Sequence, residues 1–204
     1  MTIDEAKKIL EKIFLENENK ESSLLQGIEN EKKHAYLTLA WTEKLNPKAS
    51  LFLKIAALFH DIDRILVKGV GGGFKGTQEE YKKFKKIHAQ RCADCIQPIL
   101  IEKGLLEQEA ERVSFLIAHH DDERQQLDQI KDEELEVLVA ADALAFFDTF
   151  GIRTYQKRGM TLLEEKIKFM ALKMAPQYRK VLVDLKINDN ILQNAKDKIV
   201  EQFF

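Results

Sequence analysis

Apolar residues recur at three- and four-residue intervals along most of the chain, a period that predicts helices rather than strands. The first helix spans Ile3–Leu15, with Thr2 and Glu5 at capping-box positions. The second runs Leu24–Leu45. Asn46-Pro47 then reads as a cap with proline at the first helical position, opening a helix over roughly Pro47–Asp61. Residues 65–76 include KGVGGGFKG, which predicts a flexible loop. Thr77 and Glu80 repeat the capping-box pattern and open a long helix to about Lys103, with Pro98 as a place for a bend. Helices follow over Glu107–His120 and, after a polar loop DDERQQLDQIKD, over Glu133–Phe150. The connection GIRTYQKRG leads to helices over Thr161–Ala175, Gln177–Leu185 and Asn190–Phe203. The expectation is an all-α fold with one main domain and no internal repeat.

Two of these segments pose a physical problem. LFLKIAALFHDIDR, starting at Leu51, is apolar apart from Lys54 until it ends in His60, Asp61, Asp63 and Arg64. VLVAADALAFF, Val137–Phe147, carries Asp142 as its one polar side chain. A helix apolar on every side is a buried helix. A carboxylate buried there costs several kcal/mol unless it is paired, neutralised or bound to a metal.

Composition narrows the classes. In 204 residues there are three prolines and nine glycines, too few breakers for many short strands. The hydrophobic share of 45% and charged share of 32% are those of a globular protein, and a net charge of -2 gives no basic stripe for nucleic acid. The N-terminus MTIDEAKKIL lacks a signal-peptide apolar region, and no apolar run approaches the ~20 residues of a membrane helix. A cytoplasmic protein without nucleic-acid or membrane partners is expected. Cys92 and Cys95 form CADC within a helix, which reads as two small core residues one turn apart.

The five histidines fall selectively. His34 shares a helical face with Leu37, Trp41 and Leu45; Tyr81, Phe84, His88, Cys92 and Cys95 form one stripe; Val113, Leu116, Ile117 and His120 form another. His119 lies about 100° round from His120. Any one of these fits a core histidine bonded to a backbone carbonyl, and a lone buried aspartate fits an arginine partner. Together, His34, His60, Asp61, His88, His119, His120 and Asp142 sit on the inner faces or ends of five helices. Imidazoles with carboxylates are the donor set of Zn, Mn or Fe.

The order His34, then His60-Asp61, then Asp142 resembles the HD-domain metal-dependent phosphohydrolase superfamily over roughly residues 24–150. The extra His88, His119 and His120 are similar to its binuclear branches. The helices over 161–204, which that motif does not explain, would pack on the core or form a homodimer interface, and the resemblance implies an HD-like helical bundle for the rest. It implies two divalent transition-metal ions, of Mn, Fe, Zn, Co or Ni. One would be held by His34, His60, Asp61 and Asp142, and the other by His88 with His119, His120 or both, with Asp61 bridging. Where many relatives read HDIGK this chain reads HDIDR, and no GYP motif follows His119-His120.

The activity implied is hydrolysis of a nucleotide or another small phosphate ester by a metal-activated water, with Asp61 and Arg64 as catalytic candidates. Arg64, Lys68, Lys75, Lys85 and Arg91 are candidates for holding the substrate phosphate, and the Gly71–Gly73 loop for a lid. That loop does not match a P-loop. Asp121, Asp122 and Glu123 read as an exposed acidic turn, with a further base or metal contact as the other reading. Two other readings share the same residues: a di-iron oxygenase cleaving a C–C or C–P bond, and a non-catalytic metal-binding module.

Overall fold

The computed structural model describes residues 1–17, 22–67 and 78–204, without the side chains of residues 22–26, 78, 81 and 82. The readings on Lys68, Lys75, Thr77, Tyr81 and the Gly71–Gly73 loop lie outside what is described. The fold is all-α: α1 (Ile3–Asn17), α2 (Ser22–Leu45), α3 (Leu51–Phe59), α4 (Asp63–Leu66), α5 (Gln78–Glu102), α6 (Glu107–His119), α7 (Arg124–Ile130), α8 (Glu133–Thr149), α9 (Gly151–Lys173), α10 (Pro176–Asp184) and α11 (Asn190–Phe203). No described helix is long and apolar enough to cross a membrane.

The two all-apolar segments form the centre. Leu53, Ile55, Ala56, Ala57, Leu58 and Phe59 of α3 are buried, and α8 is buried continuously from Val137 to Ala141. α2 packs along both α3 and α8, while α5 lies on α6 and α6 on α3. Each fully buried Leu, Ile or Phe contributes roughly 1.5–3 kcal/mol, so α3 and α8 are held by what surrounds them rather than by propensity. The C-terminal helices close over α8: α9 and α10 pack on it and α11 packs on α9. Gly151 marks the tightest approach, since a Cβ there would lie 2.9 Å from Leu192 Cδ1.

Local chemistry explains where the helix ends depart from expectation. The Thr2–Glu5 box forms, with Thr2 N–H donating to Glu5 and Glu5 N–H to Thr2 Oγ1. The third helix starts at Leu51 rather than Pro47. Asn46 accepts from Lys48 N–H and Ala49 N–H, which places Pro47 in a turn, and Ser50 Oγ caps the helix by accepting from Leu53 N–H at 3.1 Å. The predicted polar loop after His120 contains α7, anchored by buried Leu127 and by Arg124 against Glu136. GIRTYQKRG is helical too; the break comes at Gly159, whose φ of 80° and ψ of 178° suit glycine alone.

Candidate metal centre

α2, α3, α5, α6 and α8 each deliver polar side chains to one buried place. His34, His60, His88 and His120 are all at most 2% exposed. Each imidazole is fixed by its Nδ1. His60 Nδ1 donates to Ala57 O at 3.0 Å and His120 Nδ1 to Ile117 O at 2.6 Å. His34 Nδ1 lies 3.1 Å from Thr149 Oγ1, whose hydroxyl donates to Ala145 O, so the histidine is the donor there. His88 Nδ1 lies 2.8 Å from Asp63 Oδ1. With Nδ1 engaged on these outer partners, all four rings turn Nε2 inward, the orientation that metal-ligating histidines use.

The inward atoms converge. His34 Nε2 is 3.1 Å from Asp142 Oδ1 and 3.3 Å from His60 Nε2. Two unprotonated imidazole nitrogens at that distance repel unless a proton or a cation lies between them. Asp61 turns Oδ2 toward this group, 3.7 Å from His60 Nε2 and 3.8 Å from His34 Nε2. Its Oδ1 lies on the other side, 2.7 Å from His88 Nε2 and 3.9 Å from His120 Nε2. His120 Nε2 is buried and finds no hydrogen-bond partner among the described residues. Three sets of atoms are therefore close enough to share an ion around this centre: His34–His60–Asp142, His60–Asp61–His120 and His88–His120–Asp121. An orphaned buried imidazole nitrogen among further imidazoles and carboxylates is a donor set that could hold a metal ion.

Fixed cations surround the carboxylates. Arg64 Nη1 lies 2.6 Å from Asp61 Oδ2 and 2.9 Å from Glu31 Oε2. Lys173 Nζ, on α9, donates to Asp121 Oδ1 at 3.0 Å, His120 O at 3.1 Å and Asp142 Oδ2 at 3.3 Å. Lys85 Nζ contacts Asp121 Oδ2. Burial alone would raise the pKa of these aspartates. The charges of Arg64 and His60 beside Asp61, Lys173 with the His34 bond at Asp142, and Lys85 with Lys173 at Asp121 hold all three carboxyls well below their usual range. Burial also opposes charging of His60 and His88, but the carboxylates beside them win and raise both. At His120 burial wins and pushes the imidazole down to about 4, so it stays neutral.

The structure sorts the sequence-derived candidates. His34, His60, Asp61, His88, His120 and Asp142 come together. His119 does not: its ring is 36% exposed, lies against Phe115, and bonds Asp122 Oδ2 at 2.6 Å. Arg64 is engaged by Asp61 and Glu31, and Arg91 Nε bonds Asp63 at 2.7 Å. Asp121 and Asp122 are buried, not an exposed turn, and Lys85 is buried with them. A cleft of about 200 Å³ opens beside Asp121, with Lys83, Lys85, Lys86 and Phe169 among its walls. Asp63, Thr149, Glu31 and Lys173 were not singled out as parts of such a centre. Asp63, the departure in HDIDR, is fully buried and orients His88. Cys92 is a buried free thiol near the back of that ring, and Asp63, His88 and Cys92 form a further set of possible ligand atoms.

Comparison with curated proteins and with solved structures returns no match. Residues 4–193, nearly the whole chain, match a family described as a domain of unknown function, DUF4202. The helices that build the centre, together with α9 and α10, lie within the matched stretch, and the chain belongs to the DUF4202 family.

Proposed function

We propose that this chain is a metal-dependent phosphohydrolase acting on a small phosphate ester, including nucleotides, as the HD-domain resemblance implies. The observation that carries the reading is the split engagement of Asp61, whose two oxygens face two different sets of inward imidazole nitrogens. His34, His60, Asp142 and Asp61 would hold one ion; His88, His120 and Asp61 would hold the second. When bound, such ions supply Lewis acidity toward a phosphoryl oxygen and lower the pKa of a water at the site.

The chain's own residues do the rest. Nδ1 hydrogen bonds at all four histidines fix the rings before anything binds, so little reorganisation is needed. Arg64 keeps Asp61 ionised at the shared position. The cleft beside Asp121 is lined by Lys83, Lys85 and Lys86 together with Asp121, Asp122 and Glu123, so its charges are mixed. The buried setting, with Asp61 and Asp142 only 11% and 13% exposed, limits bulk water and strengthens each charge interaction.

The test is release of inorganic phosphate from a panel of nucleotides and small phosphate esters with Mn²⁺ or Co²⁺. Release that is lost in His60→Ala and Asp142→Ala supports the reading. Metal-loaded protein that releases no phosphate, but holds iron and shows an O2-dependent spectral change, overturns it in favour of an oxygenase.

A further inference from the structure

Lys173 is the least expected member of the centre. It comes from α9, outside the segment that carries the histidines and aspartates, yet its side chain is only 2% exposed. An ammonium group has three donors. All three are used within the centre, on Asp121 Oδ1, Asp142 Oδ2 and the His120 carbonyl. One cation thus ties a carboxylate of the His34–His60–Asp142 set to one of the His88–His120–Asp121 set. By holding Asp142 Oδ2 it leaves Oδ1 turned toward His34, 3.1 Å away.

We propose that Lys173 is a resident counter-ion of the centre. It neutralises Asp142 and Asp121 while no metal is present, and opposes the incoming ion by its own charge. The proposal rests on the metal-centre reading but not on the reaction. Three largely buried carboxylates in one centre, Asp61, Asp121 and Asp142, cannot all stay ionised without cations. Arg64 serves Asp61, and Lys85 contacts the other oxygen of Asp121. Asp142 has no described lysine or arginine partner besides Lys173. A metal ion would meet the same carboxylates, so the ammonium and the metal compete for the same negative charge.

The counter-ion role makes a prediction that a lysine of purely structural value would not. In Lys173→Met the metal-free protein loses its neutralising charge, and its melting temperature falls by roughly 10 °C. The rise in melting temperature on adding Mn²⁺ becomes larger than in wild type, and Mn²⁺ binds at least about tenfold more tightly once the repelling charge is gone. Lys173→Arg restores wild-type behaviour in both measurements. In the metal-free protein, Lys173→Met with Asp121→Asn regains part of the loss, since one orphaned carboxylate goes with its cation. A destabilised Lys173→Met whose Mn²⁺ response is equal to or smaller than wild type's overturns the proposal, as do additive effects of Lys173→Met and Asp121→Asn. A wild type with no Mn²⁺ response overturns the metal-centre reading instead, while the metal-free cycle still decides whether Lys173 neutralises the carboxylates.

Discussion

Asp61 Oδ1 lies 2.7 Å from His88 Nε2 while its other oxygen faces His34 and His60. One carboxylate therefore belongs to both halves of the centre, whereas Asp142 belongs to one. Asp61→Ala is expected to empty both halves, and Asp142→Ala to leave the His88 side loaded. Elemental analysis checks this: from about two ions per chain in wild type to near none and about one, respectively. Equal losses in the two variants would contradict the shared position of Asp61.

His119 and His120 are neighbours with opposite surroundings, one part-exposed against Asp122 and the other with a buried, orphaned Nε2. His120→Ala is expected to lose metal from the His88 side, and His119→Ala to retain it. Metal titration followed by melting temperature separates the two. Retention by His120→Ala would remove the orphaned nitrogen from the ligand set.

Asp63 acts through His88. Asp63→Asn is expected to weaken metal binding on the His88 side by roughly 10–100-fold, because an acceptor-only carboxylate becomes an amide whose NH2 can turn to His88 Nδ1 and favour the wrong tautomer. Competition against a coloured chelator measures it. Unchanged affinity would make Asp63 a partner of Arg91 and nothing more.

Much of the centre was legible in the sequence. Asp142 stood alone in VLVAADALAFF, and His120 shared a stripe with Val113, Leu116 and Ile117, but the sequence left the choice between His119 and His120 open. Lys173 carried the same kind of signal, a lone charge in FMALKMA, but sat outside the motif region and read as an ordinary amphipathic position. Asp121 and Asp122 were hidden for another reason. A run of acids reads as solvated, and only the fold shows that Lys85 and Lys173 close over Asp121. The role of Asp63 was hidden because its partner lies on a different helix, 25 residues along the chain in α5.

The pH dependence of the metal-free protein follows from the same charges. Asp61, Asp142 and Asp121 have depressed pKa values, so their contribution is present above the unfolded value of about 4 and is lost as pH falls through the depressed ones. His60 and His88 are raised, so theirs is complete below about 6.5 and is lost as pH rises through the raised values. Chelator-treated protein is expected to melt highest between those limits and to weaken toward alkaline pH. Protein with Mn²⁺ is expected to gain relative to it as pH rises, because binding displaces those protons. A metal-free melting temperature that climbs steadily above neutral pH would contradict the protonated state of the cluster.

A two-part metal centre joined by Asp61 is best tested by anomalous scattering from crystals of the protein purified without added metal. Two peaks are expected at a transition-metal edge, one beside His34, His60 and Asp142 and one beside His88 and His120, with Asp61 between them. No peak, or a single peak in the Asp63–His88–Cys92 set, would contradict it.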